Sequence, residues 1–233
     1  MKRWLLVLVL VACRKPAVAP SQPLLESIRS EARAGKAPAL VVLHGLGSNE
    51  RDLFSLGKAL APDAVVIGLR APLVRGPDSF SWLPVQFTPQ GPVHDAAEAE
   101  RSRVRIVEFV RALQADPSID GERITLLGFS QGAILSEAVA LTEPGLISGA
   151  VLISGRTLPE VKPVVGATRR PRVLVLHGTR DTVLPYENGV TTNEVLTSAG
   201  YDVEFKAFDA AHEISGPMVE AMRAWLASFE TRR

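Results

Sequence analysis

The sequence predicts an α/β fold: a doubly wound, mostly parallel sheet with helices on both faces, in a single domain. Three observations predict it. From Pro38 onward, short apolar runs alternate with longer amphipathic stretches, the rhythm of strands joined by helical crossovers. Most of these runs are continuous Val/Ile/Leu, as expected of parallel strands covered on both faces. The run Ile124–Leu127 also passes directly into Gly128-Phe129-Ser130-Gln131-Gly132 and a helix-compatible stretch, which marks a strand–turn–helix corner.

Taken in order, the strand candidates are Ala39–Leu43, Val65–Leu69, Ile124–Leu127, Gly149–Ile153, Val173–Leu176 and Val203–Phe208. Helices are expected at about 49–60, 94–114, 131–141, 187–199 and 215–229. The second helix carries Val104, Val107, Phe109, Val110 and Leu113 close to helical spacing and stops before Pro117. The stretch Arg70–Val93 breaks the rhythm with prolines at 72, 77, 84, 89 and 92 and the aromatics Phe80, Trp82 and Phe87. A structureless loop of this length within a domain is usually functional. Its aromatics, Trp82 and Phe80 first, either line a pocket above Ser130 or simply pack the loop down.

The 233 residues fit one domain, long enough to bury about 70–75% of the surface of the unfolded chain. Basic side chains number 26 and acidic ones 25, with no basic stripe, so nucleic acid is not an expected partner. No internal repeat or low-complexity tract interrupts the chain.

The N-terminus differs from the rest. Lys2 and Arg3 precede an apolar run from Trp4 to Ala12 that ends at Cys13, the sole cysteine. Such a run is too short to span a hydrocarbon core, which takes about 20 residues as a helix, and reads instead as a secretory signal over residues 1–12. Leu10-Val11-Ala12-Cys13 resembles a bacterial lipoprotein box, with Cys13 lipidated and first in the mature chain; a conventional signal peptide is the alternative. Residues 13–37 then read as a tether and N-terminal arm, proline-rich up to Pro23, with Leu24–Ala34 as a helix or irregular segment. Residues 38–233 form the folded domain. The expected location is outside the cytoplasm, anchored through Cys13.

A serine in a Gly-x-Ser-x-Gly corner sits on a tight bend with its hydroxyl lifted clear of the sheet. Serine is a weak nucleophile at neutral pH and needs a general base, usually a histidine oriented by a carboxylate. The chain holds four histidines. His94 lies upstream of Ser130, at the start of a helix; His44 ends the first strand and suits loop shaping; His177 ends the fifth strand. His212, after the last strand and before the last helix, is the expected base. Asp181 and Asp209 are the candidate acids. Asp181 projects from a strand end and is preferred, because a loop as short as 209–212 rarely aims both groups correctly. The developing oxyanion needs amide donors: that of Gln131, after the serine, and one from the glycine-rich loop after the first strand, Leu46.

These residues resemble the carboxylesterase/phospholipase branch of the α/β-hydrolases, the group that includes acyl-protein thioesterases. The resemblance runs from about Pro38 to Trp225. It rests on Leu43-His44-Gly45-Leu46-Gly47, Arg70-Ala71-Pro72, Trp82, Gly128-Phe129-Ser130-Gln131-Gly132, His177-Gly178-Thr179-Arg180-Asp181 and His212-Glu213. It implies a Ser130–Asp181–His212 triad, Leu46 and Gln131 amides in the oxyanion hole, and neither metal nor organic cofactor. The implied activity is carboxylic ester hydrolysis on a small-molecule or lipid ester. Lysophospholipase, thioesterase or secreted polyester depolymerase activity is the alternative, and a non-catalytic binding protein on the same fold is a second. Relatives often act on thioesters or lysophospholipids in the cytosol, so the export signal argues against carrying the thioesterase label over.

Overall fold

The computed structural model describes residues 24–31, 35–88 and 91–229. The apolar N-terminal run expected as a signal, Cys13 and the proline-rich stretch up to Pro23 lie outside the described residues. Among the described residues eleven strands and five helices follow in the order β1 (Ser27–Arg29), β2 (Ala37–Leu43), α1 (Phe54–Leu60), β3 (Val65–Leu69), β4 (Leu73–Gly76), β5 (Ser79–Ser81), β6 (Val85–Thr88), β7 (Gly91–His94), α2 (Ala96–Ala115), β8 (Ile119–Phe129), α3 (Gln131–Thr142), β9 (Gly149–Ile153), β10 (Arg172–Gly178), α4 (Glu187–Ser198), β11 (Val203–Phe208) and α5 (Gly216–Ala227). All six expected strands and all five expected helices are present.

Seven strands make one sheet in the order β1-β3-β2-β8-β9-β10-β11. Every neighbouring pair is parallel except β1 with β3. Alternate side chains of a strand face opposite sides, so the apolar runs feed two cores. Ala39, Val41 and Leu43 pack toward α2, α3 and α4, while Leu40 and Val42 pack toward α1 and α5. Helix α3 is buried from Gln131 to Leu141, as its almost wholly apolar sequence demands. Helix α2 is capped by Asp95, whose carboxylate accepts from the Glu98 amide at 3.0 Å. Its buried face uses Ile106 as well as Val107, Phe109, Val110 and Leu113, whereas Val104 faces solvent.

Two expectations fail. The Leu24–Ala34 segment is neither helix nor irregular arm where it is described. Ser27–Arg29 pair antiparallel with β3 as an edge strand, and Leu25 is buried in the larger core. Three residues are too few to show a strand period, and the pairing depends on the distant β3. The Arg70–Val93 stretch is likewise not structureless, since it folds into two antiparallel hairpins, β4–β5 and β6–β7. Asp78 turns the first with φ +50°. Prolines fall in such short ribbons at edges and turns, where no ladder donor is lost.

Candidate active site

Loops at the carboxyl ends of β2, β8, β10 and β11 converge on one cleft. At the β8–α3 corner Ser130 has φ 53° and ψ −116°, a left-handed bend that non-glycine residues adopt only at a cost. Its amide donates to the Ile153 carbonyl of β9 at 2.9 Å, which helps hold the bend. Both flanking glycines are required sterically. A Cβ at Gly132 would stand 2.0 Å from the Leu43 carbonyl oxygen, and one at Gly128 would stand 2.3 Å from the Gly132 backbone.

His212 Nε2 lies 3.0 Å from Ser130 Oγ, and His212 Nδ1 lies 2.7 Å from Asp181 Oδ2. Since the carboxylate accepts the Nδ1 proton, the Nε2 lone pair is left facing the hydroxyl. The other oxygen of Asp181 accepts from the Val183 and Leu184 amides, both at 2.9 Å, and its side chain is fully buried. The two loops are tied to each other: Thr179 donates its amide to Phe208, at 2.7 Å, and Arg180 donates to Ala210, at 3.0 Å. Acid and imidazole are therefore held by backbone bonds as well as by their own contact. Phe129 lies against the imidazole, ring centres 5.0 Å apart.

The rival acid is absent from the site. Asp209 is 84% exposed and bonded to Arg180. The other three histidines have separate work. His177 is buried beneath the acid, donating from Nε2 to the Leu184 carbonyl at 2.8 Å, so it braces the Asp181 turn. His44 accepts the Ala71 amide at Nε2, 3.1 Å, and donates from Nδ1 to the Gly45 carbonyl, 2.7 Å. Burial lowers its pKa, and the Ala71 contact requires the neutral ring. His94 stands in β7 and meets Arg156 and Glu160.

Leu46 and Gln131 line the cleft on either side of Ser130. Gln131 opens α3, so its amide has no carbonyl one turn earlier in the helix to bond. The loop carrying Leu46 is braced by the β4–β5 hairpin: Gly47 donates to the Phe80 carbonyl at 2.8 Å, and Phe80 donates to Ser48 at 2.9 Å.

Phe80 and Trp82, expected to line the pocket, do not. The Trp82 side chain is fully buried, its Nε1–H donating to the His44 carbonyl at 2.9 Å. Phe80 lies under the Arg70 guanidinium, 4.7 Å from its ring centre. A large ring on a loop gains most by burial, so both brace the site from behind. The stretch contributes Leu83, Val85 and Pro92 to the cleft instead.

The side-chain role of Gln131 and the place of Arg156 escaped the sequence reading. The Gln131 side chain accepts the Trp82 amide at 3.0 Å and donates to the Leu83 carbonyl at 3.0 Å, stapling the hairpin stretch to α3. Arg156, after β9, also lines the cleft. The first could have been suspected from a polar residue opening an apolar helix; nothing local marks the second.

The chain matches a family model described as phospholipase/carboxylesterase over residues 26–229. It is 31% identical to esterase YpfH of Escherichia coli over 172 residues, 70% of each chain. Among solved structures it is similar to esterase PE8, with a TM-score of 0.79 and 27% identity, covering 88% of this chain and 99% of that one. The Bacillus cereus carboxylesterase shares the fold at a TM-score of 0.76 and 21% identity, over 89% and 96% of the two chains. With a parallel sheet, a serine corner and a match over nearly all the described residues, the chain belongs to the phospholipase/carboxylesterase family of α/β-hydrolases and is a serine hydrolase.

Proposed function

We propose that the chain hydrolyses carboxylic esters through an acyl-enzyme on Ser130. The observation that carries this reading is the continuous line of contacts from Ser130 Oγ to His212 Nε2 and from His212 Nδ1 to Asp181. Ser130 attacks the ester carbonyl as His212 takes its proton. Asp181 holds the tautomer and stabilises the imidazolium. The Leu46 and Gln131 amides receive the negative charge on the carbonyl oxygen. His212 then protonates the leaving alcohol, and water repeats the sequence to release the acid.

The cleft encloses about 260 Å³ and is walled mainly by Leu83, Ile134, Val183 and Leu184 among other apolar groups. Ligand pockets commonly run from about 300 to 1,000 Å³, so this one favours short acyl groups. A fluorophosphonate probe should label Ser130 in the folded protein, and para-nitrophenyl butanoate should turn over faster than the hexadecanoate. Absence of both labelling and turnover would overturn the reading in favour of a non-catalytic binding protein.

We further propose that the protein is exported and lipidated at Cys13, supported by Lys2-Arg3, the apolar run and Leu10-Val11-Ala12-Cys13. One acyl chain binds a membrane only marginally, so stable attachment requires more than one. Among the described residues no helix is long and apolar enough to cross a membrane. Cys13→Ala should move the protein from the membrane to the soluble fraction; unchanged fractionation would count against lipidation.

A further inference from the structure

We propose that Arg156 makes the cleft an anion subsite, selecting esters that carry a carboxylate away from the reacting carbonyl. The proposal rests on the esterase reading above.

Arg156 lines the cleft and is only partly exposed. Its guanidinium stays charged in any protein, and withdrawing that charge from water is unfavourable unless an anion or a full set of acceptors compensates. Among the described residues it forms no ion pair, and its one hydrogen bond goes to a neutral atom, His94 Nδ1, at 3.0 Å. Burial is the leading influence on it and pushes its pKa down.

The arginine is nonetheless held in place. Because it donates to His94 Nδ1, that nitrogen must carry the lone pair. His94 Nε2 therefore carries the proton and donates it to Glu160 Oε1, 2.6 Å away. Glu160 fixes the imidazole, and the imidazole fixes the guanidinium; the Glu160 charge reaches Arg156 through space but makes no ion pair with it. Four of the five guanidinium donors are left for a ligand.

Sheet order gives the subsite a direction. Ser130 follows β8, which lies between β2 and β9. Asp52, the one carboxylate on the cleft wall among the described residues, belongs to the segment after β2 and accepts from Ser48 Oγ at 2.8 Å. Arg156 belongs to the segment after β9. The two charges therefore flank the serine from opposite sides. An ester with an anionic end is drawn to the Arg156 side and repelled from the Asp52 side, which fixes its orientation across Ser130.

The test compares kcat/KM for the para-nitrophenyl monoester of adipic acid with that for para-nitrophenyl hexanoate, which differ by the terminal carboxylate. A second pair, para-carboxyphenyl hexanoate against phenyl hexanoate, places the anion on the alcohol half. In Arg156→Gln the anionic-to-neutral ratio should fall about 10–100-fold in one of the pairs, the worth of a charge-assisted hydrogen bond. Arg156→Lys should restore part of it. Wild-type protein provides an arm that does not depend on a variant's folding: free adipate should compete with hexanoate ester turnover more strongly than neutral adipamide. An unchanged ratio in both pairs, with adipate competing no better than adipamide, overturns the subsite while leaving the esterase reading intact. Failure of every ester together with no labelling at Ser130 overturns the esterase reading itself.

Discussion

Arg180 holds Asp209 at the surface through an ion pair, while Asp181, the next residue after Arg180, turns the opposite way and is buried against His212. The neighbours Arg180 and Asp181 thus engage two carboxylate settings: one at the surface on the next loop, the other buried against the imidazole. Asp181→Asn should lower kcat about 10⁴-fold, because the amide holds the wrong tautomer, whereas Asp209→Asn should stay near wild type in ester turnover. Ser130→Ala and His212→Ala should each lose on the order of 10⁶-fold, with the double variant no worse than either. Equal losses in the two aspartate variants would overturn the assignment.

Among the described residues the Gln131 side chain is the hydrogen-bond partner of the Trp82 amide, and it binds the Leu83 carbonyl as well. Gln131→Leu leaves two buried polar groups unpaired, at about 1–3 kcal/mol each. The variant should melt lower and show a raised KM, since Leu83 loosens from the cleft wall, while the backbone amide proposed for the oxyanion stays in place. A lowered kcat with unchanged KM and stability would contradict this.

Acid should destabilise the protein through Glu50. Its side chain is 2% exposed and paired with Arg70 through two bonds, at 2.7 and 2.8 Å. The hydrogen bonds from Arg70 hold its pKa at about 2, against an ordinary 4.5. A lowered folded pKa means the stabilisation is complete above about 4.5 and is lost as pH falls from there toward about 2, amounting to about 3 kcal/mol. Glu50→Ala leaves the partly exposed Arg70 with Glu26 as its remaining ion-pair partner and should cost about 3 kcal/mol at neutral pH, lowering the melting temperature by about 10 °C. Calorimetry against pH checks both.

Glu137 acts in the opposite direction and in another pH window. It is buried within α3, where burial raises its pKa to about 7 against the Thr157 and Thr192 hydroxyls that bond it. The unfolded chain ionises this carboxyl at about 4.5, so stability is full below that pH and declines as pH rises to about 7. Glu137→Gln should flatten the melting temperature across that window. An unchanged slope would show that another group sets it.

Most of the sheet was legible because β2, β3, β9 and β10 are buried on both faces and so are written as nearly unbroken apolar runs. The hydrogen-bonded site residues were legible for a related reason, since Ser130 and Asp181 each follow such a run within a few residues and His212 follows the last strand, β11. What stayed hidden depends on partners distant in sequence. Ser27–Arg29 become a strand only against β3, and the Arg70–Val93 hairpins pair residues that look like turn and loop by composition. Trp82 and Phe80 were misassigned because an aromatic on a loop looks the same whether it faces the cleft or supports it. Arg156 follows β9 with no flanking pattern, and only the fold brings it beside Ser130.

The positive φ of Ser130 has a consequence for how this sequence can change. A backbone at 53°, −116° is one that glycine occupies far more comfortably than serine. Selection for thermal endurance alone would favour Gly-Phe-Gly-Gln-Gly at the corner, at the expense of the hydroxyl. Ser130→Gly should therefore yield a dead enzyme that melts no lower than the wild type. The protein keeps a sturdier version of itself one substitution away, and the chemistry is what holds it back from taking that step.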